Sequence, residues 1–161
     1  MPYWQLFYHF VWSTKGREPL LTPEVEPVIH DLLRGKAIGL GRTVFALGGI
    51  ADHLHMVASL APKIAPATFI GQVKGAASAL FNRRERGVVY WQEEYGVFSC
   101  DKGRLPRYIA YVQRQKEHHA AGTTIPVLER CGDHTASVVR EPSIPYGVED
   151  PAWWREMLAL E

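Results

Sequence analysis

Cysteine is scarce in this sequence: its 161 residues include only Cys100 and Cys131, with no Cys-x-x-Cys pair. Two thiols so far apart in the chain support neither a disulfide framework nor a thiolate zinc site. The sequence also lacks the run of about 18 apolar residues that a membrane-spanning helix needs. These absences favour a protein of the reducing cytoplasm with no membrane segment.

An excess of charge of one sign is also missing. The chain has 18 Lys and Arg against 17 Asp and Glu, a formal net charge of +1, which neither requires nor excludes a nucleic-acid partner. The apolar opening at 3–12 has no basic leader and no small-residue cleavage site, so we expect no signal peptide. With 47% hydrophobic and 22% charged residues, the composition is that of an ordinary globular protein.

The order of strand-like and helix-like segments predicts an α+β protein. Residues typical of strands and periodic apolar residues typical of helices alternate along the chain. The predicted strands cover 3–12, 42–49, 52–60, 88–91 and 95–99. Three helices are predicted: the first begins after Thr22 as its N-cap, the second covers 67–84 and the third covers 105–119. The order β-α-β-β-α-β is that of a ferredoxin-like split βαβ fold, an antiparallel sheet packed by helices. A turn of Gly-Gly-Ile-Ala is expected to join the second and third strands.

The chain divides at Gly122, where the composition changes. Residues 1–122 are expected to form one domain. Residues 123–161 contain four of the prolines, which interrupt any long element. We expect a tail that lies on the domain or on a partner, with one short helix over 153–160.

The stretch Asp52-His53-Leu54-His55 is the first candidate site. Side chains alternate faces along a strand, so His53 and His55 should point to one side and Leu54 and Met56 to the other. Two neutral imidazoles can hold a divalent cation if a third ligand reaches them. The alternative is that both histidines are half-buried packing residues.

The predicted helix over 105–119 offers that third ligand. Tyr111 and Gln115 are four residues apart, so on one continuous helix they share a face. A helix packed across the sheet can bring the Gln115 amide oxygen to a metal and the Tyr111 hydroxyl to a phosphate bound there. Three protein ligands leave coordination positions open for a substrate. The alternative is that Tyr111 is a packing residue.

Four ordered motifs, at 8–15, 52–55, 91–99 and 111–119, resemble those of the IS200/IS605-type single-tyrosine transposases. That family, which includes the REP-associated tyrosine transposase relatives, belongs to the His-hydrophobic-His (HUH) nucleases. The resemblance implies a ferredoxin-like domain that cuts and rejoins hairpin-bearing single-stranded DNA. It also implies a homodimer in which the tyrosine helix of one subunit can complete the other's site.

The resemblance further implies roles for individual residues. His53, His55 and Gln115 correspond to the metal ligands, and Tyr111 to the nucleophile that forms a 5′-phosphotyrosine and frees a 3′-hydroxyl. Tyr108 lies on the same predicted helix, but the family pattern Tyr-x-x-x-Gln would then place Val112 at the ligand position, where it cannot coordinate. The ion expected is Mg²⁺ or Mn²⁺, although the histidines would also bind Zn²⁺.

Basic side chains are candidate phosphate contacts on a DNA strand, and exposed aromatic residues can stack on unpaired bases. The simpler alternatives are solvated cations and buried aromatic packing. The basic candidates are Lys15, Arg17, Arg83, Arg84, Arg86 and Arg114, and the aromatic ones are Trp4, Tyr90, Trp91 and Tyr95. His9 is either a packing residue or a partner of the histidine pair, and His118 and His119 are expected at the surface.

Two other functions fit the same residues. A repurposed relative would bind single-stranded nucleic acid without cutting it. A metal-dependent phosphodiesterase would use an activated water, and Tyr111 would then be a bystander. The sequence also leaves open whether the protein serves a mobile element or a host function.

Overall fold

The computed structural model describes residues 2–85 and 87–132 and has an α+β fold. The predicted order β-α-β-β-α-β is confirmed, and two further helices follow it. The strands are β1 (Phe7–Ser13), β2 (Thr43–Ile50), β3 (His53–Ser59) and β4 (Gly96–Cys100). The helices are α1 (Val25–Gly39), α2 (Pro66–Arg84), α3 (Leu105–Gln113) and α4 (Gln115–Ala121), with 3-10 turns at Lys15–Arg17 and Pro126–Glu129.

The strands form one antiparallel sheet in the order β2-β3-β1-β4. Strand β1 is central and pairs with β3 and β4, so Val11 lies opposite His55 and His9 opposite Val57. This position explains why β1 is apolar on both faces: Phe10, Val11 and Trp12 are fully buried. The strand begins at Phe7 rather than Tyr3.

The two faces of the sheet carry different cores. On one face, Leu54 and Met56 join the large core that includes the buried residues of α1 and α2. On the other face a smaller cluster contains Val57 and Val112, which lies in α3. The predicted alternation along β3 is therefore confirmed, and His53 and His55 face α3 rather than the large core.

Helix α1 starts later than the sequence pattern indicates. It begins at Val25, because Pro23 and Glu24 form a turn. Thr22 still serves this end of the helix: its carbonyl accepts the N–H of Val25 at 3.0 Å and of Glu26 at 2.8 Å. Its hydroxyl also accepts the Val25 N–H, at 3.4 Å.

The expected Gly-Gly turn between β2 and β3 is wrong. Gly48 and Gly49 lie inside β2, and the turn is at Ala51 and Asp52. A Cβ on Gly48 would stand 2.2 Å from the backbone oxygen of Val112, and one on Gly49 would stand 2.2 Å from that of His53. The glycines are there because backbone packs directly against them.

The predicted continuous helix over 105–119 is also wrong. It breaks at Arg114, whose backbone angles of φ −109° and ψ 26° are not helical. Both α3 and α4 contact β2, and Gln115, just after the break, is 1% exposed. The break thus keeps both segments against the sheet. Helix α4 ends at Ala121, and the next residue, Gly122, adopts the left-handed conformation with φ 66°.

Residues 88–91 do not form the predicted strand and contribute one isolated bridge, between Thr14 and Trp91. The Asn82 side chain takes the place of a neighbouring strand. It donates to the Val89 carbonyl at 2.9 Å and accepts the Val89 N–H at 2.7 Å.

The first ten residues beyond Gly122 lie on the domain. The turn Pro126–Glu129 contacts β1 and β4, and Leu128 in it is buried. The short helix predicted at 153–160 falls outside the described residues. Within the ranges 2–85 and 87–132, none of the helices has the length and apolar character needed to cross a membrane.

Candidate active site

The two histidines of β3 are buried, and each is held through its Nδ1 atom. Asp52 Oδ1 lies 2.6 Å from His53 Nδ1, and His9 Nε2 lies 2.9 Å from His55 Nδ1. A partner on one ring nitrogen fixes the orientation of an imidazole and leaves the other nitrogen for a ligand. His9, for which the sequence left two interpretations, is therefore a hydrogen-bond partner of the pair.

A carboxylate from the segment beyond Gly122 meets the free nitrogens. Glu129 Oε2 lies 3.1 Å from His53 Nε2, 3.3 Å from His55 Nε2 and 3.4 Å from His119 Nε2. The ligand atoms of His53, His55 and Glu129 all lie within 4.8 Å of one another, so this group could hold a metal ion. His119 was expected at the surface, but its ring meets that of His53 edge to face at a centroid distance of 4.8 Å.

Tyr111 approaches the same carboxylate from α3. Its hydroxyl donates a hydrogen bond to Glu129 Oε1 and accepts one from the Ile125 N–H at 2.9 Å. Its ring meets His55 edge to face at a centroid distance of 5.9 Å. The Tyr111 hydroxyl and the histidine pair of one chain therefore converge on Glu129.

Gln115 remains close to Tyr111 although the helix breaks between them. Its Nε2 donates to the Tyr111 carbonyl at 3.4 Å. Its Oε1 is buried and has no hydrogen-bond partner among the described residues, and the same is true of His53 Nε2. Leaving a buried polar atom without a partner costs free energy. Both atoms can offer a lone pair to a divalent metal ion as its ligand. The residues present thus suit a metal ion.

Tyr108, the other candidate nucleophile, sits differently. It packs against the small core beside α3, and its ring lies 6.1 Å from that of His9. Among the contacts of the described residues, the hydroxyl that reaches Glu129 belongs to Tyr111.

Burial and neighbouring charges set the protonation of the histidines. Burial lowers the pKa of His9 to about 3, and it also lowers the pKa of His55. Burial also acts to lower the pKa of His53, but the neighbouring carboxylates of Glu129 and Asp52 outweigh it and raise that pKa. His9 and His55 are therefore neutral at physiological pH, the state in which an imidazole binds metal.

The pKa values of Glu129 and Tyr111 shift in opposite directions. Burial favours the neutral form of Glu129, but the His53 and His55 imidazoles beside its carboxylate and the hydrogen bond from Tyr111 prevail and hold its pKa well below the usual range. Burial raises the pKa of Tyr111, and its hydrogen bond to Glu129 adds to the rise. The site thus pairs an ionised carboxylate with a protonated tyrosine.

The basic candidates do not gather in one place. Lys15 and Arg17 follow β1, and the Arg17 guanidinium lies 4.0 Å from Asp52, the partner of His53. Arg83 and Arg84 are exposed at the end of α2, which packs on the opposite face of the sheet. Arg114 is exposed and pairs with Glu117 at 2.9 Å. Arg86 lies outside the described residues.

The aromatic candidates divide into two groups. Trp4 and Tyr90 are exposed, at 39% and 54%, so their rings are available for stacking. Trp91 and Tyr95 pack against the large core. Both residues are partly buried, which favours the alternative of core packing for them.

A pocket of about 220 Å³ opens beside Tyr111. It is formed by Arg104, which directly precedes α3, by residues of α3 and by the segment beyond Gly122, and two of its residues, Arg104 and Arg107, are basic. The others are Tyr108, Tyr111, Ile125, Val127 and Leu128. Because Tyr111 lines this pocket, the arginines of the pocket are better placed for a phosphate near Tyr111 than those of α2.

Sequence reasoning missed three residues of this cluster: Asp52, His119 and Glu129. Asp52 precedes His53 directly, a position from which a carboxylate readily reaches Nδ1, so a signal existed. His119 lies four residues after Gln115, which also indicates a shared helix face. No pattern in the sequence around Glu129 predicts that it belongs to the site, because its segment reaches the site through contacts with residues distant in the chain.

Comparisons with known proteins agree with one another. A family model described as "Transposase IS200 like" matches residues 2–115, more than half of the chain. The ISDra2 transposase TnpA of Deinococcus radiodurans is 27% identical over 121 residues, covering 71% of this chain and 86% of that protein. The transposase for insertion sequence element IS200 of Salmonella typhimurium is 23% identical over 131 residues, covering 77% and 86%.

Two solved structures are similar to this chain in fold. A crystal structure of a Deinococcus radiodurans protein described as a transposase is 25% identical, with a TM-score of 0.57, covering 71% of this chain and 95% of that one. A REP-associated tyrosine transposase bound to a REP hairpin is 10% identical with a TM-score of 0.53, covering 84% and 94%. At that identity the second likeness concerns the fold alone.

Proposed function

The chain belongs to the IS200-like transposase family, and on this premise we propose that it cleaves and rejoins single-stranded, hairpin-bearing DNA through a 5′-phosphotyrosine intermediate with a divalent metal ion. The observation that carries the proposal is the convergence of the Tyr111 hydroxyl and the imidazoles of His53 and His55 on one point within a single chain. A nucleophile beside a metal-binding cluster is the arrangement that phosphoryl transfer needs.

The metal would be held by His53, His55 and Gln115. The unpartnered His53 Nε2 and Gln115 Oε1 atoms support this assignment, as do the Nδ1 hydrogen bonds that orient both rings. When bound, a divalent ion would polarise the scissile phosphate and offset the charge that develops on it. Mg²⁺ or Mn²⁺ is proposed because the amide oxygen is a hard ligand, and Mn²⁺ also accepts imidazole.

Tyr111 would attack the phosphorus atom. Its oxygen forms the new P–O bond, its proton is lost, and the 3′-oxygen of the preceding nucleotide leaves and becomes a 3′-hydroxyl. The N–H of Ile125, which already donates to the Tyr111 oxygen, would stabilise the phenolate as the proton leaves. Because the phosphotyrosine keeps the ester bond, a 3′-hydroxyl can later displace Tyr111 and reseal a strand without ATP.

The DNA strand would enter along the pocket beside Tyr111. Arg104 and Arg107 line it, and Lys15 and Arg17 lie near the other end of the histidine pair, where Arg17 approaches Asp52. Hairpin DNA is proposed because the REP-associated tyrosine transposase of similar fold was solved with a hairpin.

A homodimer acting in the cytoplasm is part of the proposal. Its basis is the family resemblance of the motifs, and sedimentation analysis of the purified chain tests it.

Because Tyr111 and the histidine pair meet within one chain, we propose that Tyr111 acts in its own subunit. Mixing Tyr111→Phe with His53→Ala subunits tests this: activity restored in the mixture would show action in the partner's site instead.

A gel assay tests the reaction itself. The protein is incubated with Mn²⁺ or Mg²⁺ and 3′-labelled single-stranded DNA that carries hairpins from its genomic surroundings, then separated under denaturing conditions. We expect a labelled band at protein mass that is lost in Tyr111→Phe and His53→Ala and kept in Tyr108→Phe. Cleavage without an adduct would favour a hydrolase that uses water. Binding without cleavage would favour a repurposed binding protein.

A further inference from the structure

We propose that Glu129 is an additional ligand of the metal ion, supplied by a segment beyond the part of the chain that the family model matches. The matched region ends at residue 115, whereas Glu129 lies in the turn that follows Gly122. The inference rests on the proposed function, because it concerns the metal site of that reaction.

The Glu129 carboxylate lies close enough to both imidazoles for the three side chains to share one ion. Two atoms bound about 2.1 Å from a metal stand about 3.0 Å apart in octahedral and about 3.4 Å apart in tetrahedral geometry. Glu129 Oε2 lies 3.1 Å from His53 Nε2 and 3.3 Å from His55 Nε2. The His53 nitrogen has no hydrogen-bond partner despite this closeness, so an ion between the three atoms would satisfy it.

Contacts on both sides of Glu129 hold its segment in place. Before it, the Ile125 N–H donates to the Tyr111 hydroxyl and Leu128 is buried. After it, the backbone of Arg130 crosses β4 so closely that a Cβ on Gly96 would stand 2.0 Å from the Arg130 oxygen. Further along, Arg17 donates to the Cys131 sulfur at 3.0 Å. These contacts fix the position of the segment that carries the Glu129 carboxylate.

A carboxylate also completes the donor set. Two imidazoles and one amide are neutral, so they leave the charge of a bound ion uncompensated. One carboxylate adds a hard, anionic oxygen, which is the ligand Mg²⁺ and Mn²⁺ prefer. Since the other oxygen of Glu129 accepts the Tyr111 hydrogen bond, the same side chain would tie the nucleophile to the ion.

Titration calorimetry of the full chain with Mn²⁺ alone, without DNA, tests the assignment. We expect Glu129→Gln to weaken Mn²⁺ binding at least tenfold and Glu129→Asp to weaken it less, because the carboxylate is kept. Glu24→Gln, the same change on an exposed carboxylate at the start of α1, should bind as the wild type does. Circular dichroism in EDTA confirms that each variant is folded.

The outcomes separate this inference from the proposed function. His53→Ala should also weaken Mn²⁺ binding. If it does while Glu129→Gln binds Mn²⁺ unchanged, the histidine site stands and Glu129 is not a ligand. If Glu129→Gln binds Mn²⁺ more tightly, its carboxylate competes with the ion for the site and the inference is overturned. If neither variant changes binding, the metal site of the proposed function fails together with the inference.

Discussion

The backbones of Gly48 in β2 and Val112 in α3 touch: a Cβ placed on Gly48 would stand 2.2 Å from the Val112 carbonyl oxygen. This contact lets α3 lie directly on the sheet. Val112 is the neighbour of Tyr111, so the distance between α3 and β2 also sets how closely the tyrosine approaches the histidines of β3.

Gly48→Ala should therefore destabilise the protein and weaken its activity together. Forcing a methyl group against a packed backbone costs roughly 1–3 kcal/mol, and α3 would have to rise from the sheet. Urea unfolding measures the loss in the free energy of unfolding. Gly71→Ala and Gly75→Ala are matched controls in α2, where a Cβ meets nothing within 4 Å, and helix propensity predicts a gain of about 0.5–1 kcal/mol. A Gly48→Ala protein as stable as the wild type would contradict this account of the contact.

Lys74 should stabilise the loop after α2, and its contribution to the free energy of unfolding should depend on pH. Its ammonium donates to the carbonyls of Gln92, Glu93 and Glu94 at 2.7, 3.3 and 3.4 Å, so Lys74→Met should cost about 1–3 kcal/mol at neutral pH. Burial lowers the pKa of Lys74 to about 8.

Because the unfolded chain keeps this proton to about pH 10.4, the wild type should gain stability relative to Lys74→Met as pH rises above about 8. Chemical unfolding at several pH values measures both effects, with Lys63→Met, at an exposed position, as the control. A difference that stays flat or shrinks over that range would contradict the lowered pKa.

Asp52 should contribute to metal affinity without touching the metal. Its carboxylate holds His53 Nδ1 at 2.6 Å, and losing such a partner typically weakens metal binding about 10- to 100-fold. Asp52→Ala should thus bind Mn²⁺ at least tenfold more weakly in calorimetry, with a smaller loss than His53→Ala. Asp31→Ala, at an exposed position in α1, should bind normally. Unchanged affinity in Asp52→Ala would mean that His53 needs no orienting partner.

The arginines of the pocket beside Tyr111 should contribute more to DNA binding than those of α2. Replacing Arg104 or Arg107 with Gln should weaken single-stranded DNA binding and reduce its salt dependence, by about 0.7 in the log–log slope for each phosphate that the variant no longer neutralises. Fluorescence anisotropy at several salt concentrations measures this. Arg83→Gln and Arg84→Gln are the comparison, since α2 packs on the other face of the sheet. A larger effect in the α2 variants would place the DNA on that face.

The parts of the fold that depend on local pattern were predictable from the sequence. The alternation of His53 and His55 against Leu54 and Met56 follows from the period of a strand, and it holds. The element order could be derived in the same way, because each segment carries its own periodicity. Tyr111 and Gln115 remain neighbours for a similar reason, although a break intervenes.

The parts that depend on distant contacts were not predictable. The pair Gly48 and Gly49 has the chemistry of a turn, and its place in a strand is explained by the approach of the Val112 backbone to Gly48 and of the His53 backbone to Gly49. The break at Arg114 interrupts a pattern that is helical on both sides. Glu129 reaches the histidines because its segment is fastened to β4 and Tyr111, contacts that no local signal encodes.

Mass spectrometry of the trapped protein–DNA complex tests the central claim most directly. After incubation with Mn²⁺ and hairpin-bearing single-stranded DNA, nuclease and protease digestion would leave a peptide that carries the attached nucleotide. The account predicts a 5′-phosphate ester on Tyr111, and no modified peptide in Tyr111→Phe. An adduct on Tyr108, or strand cleavage with no modified peptide in the wild type, would contradict it.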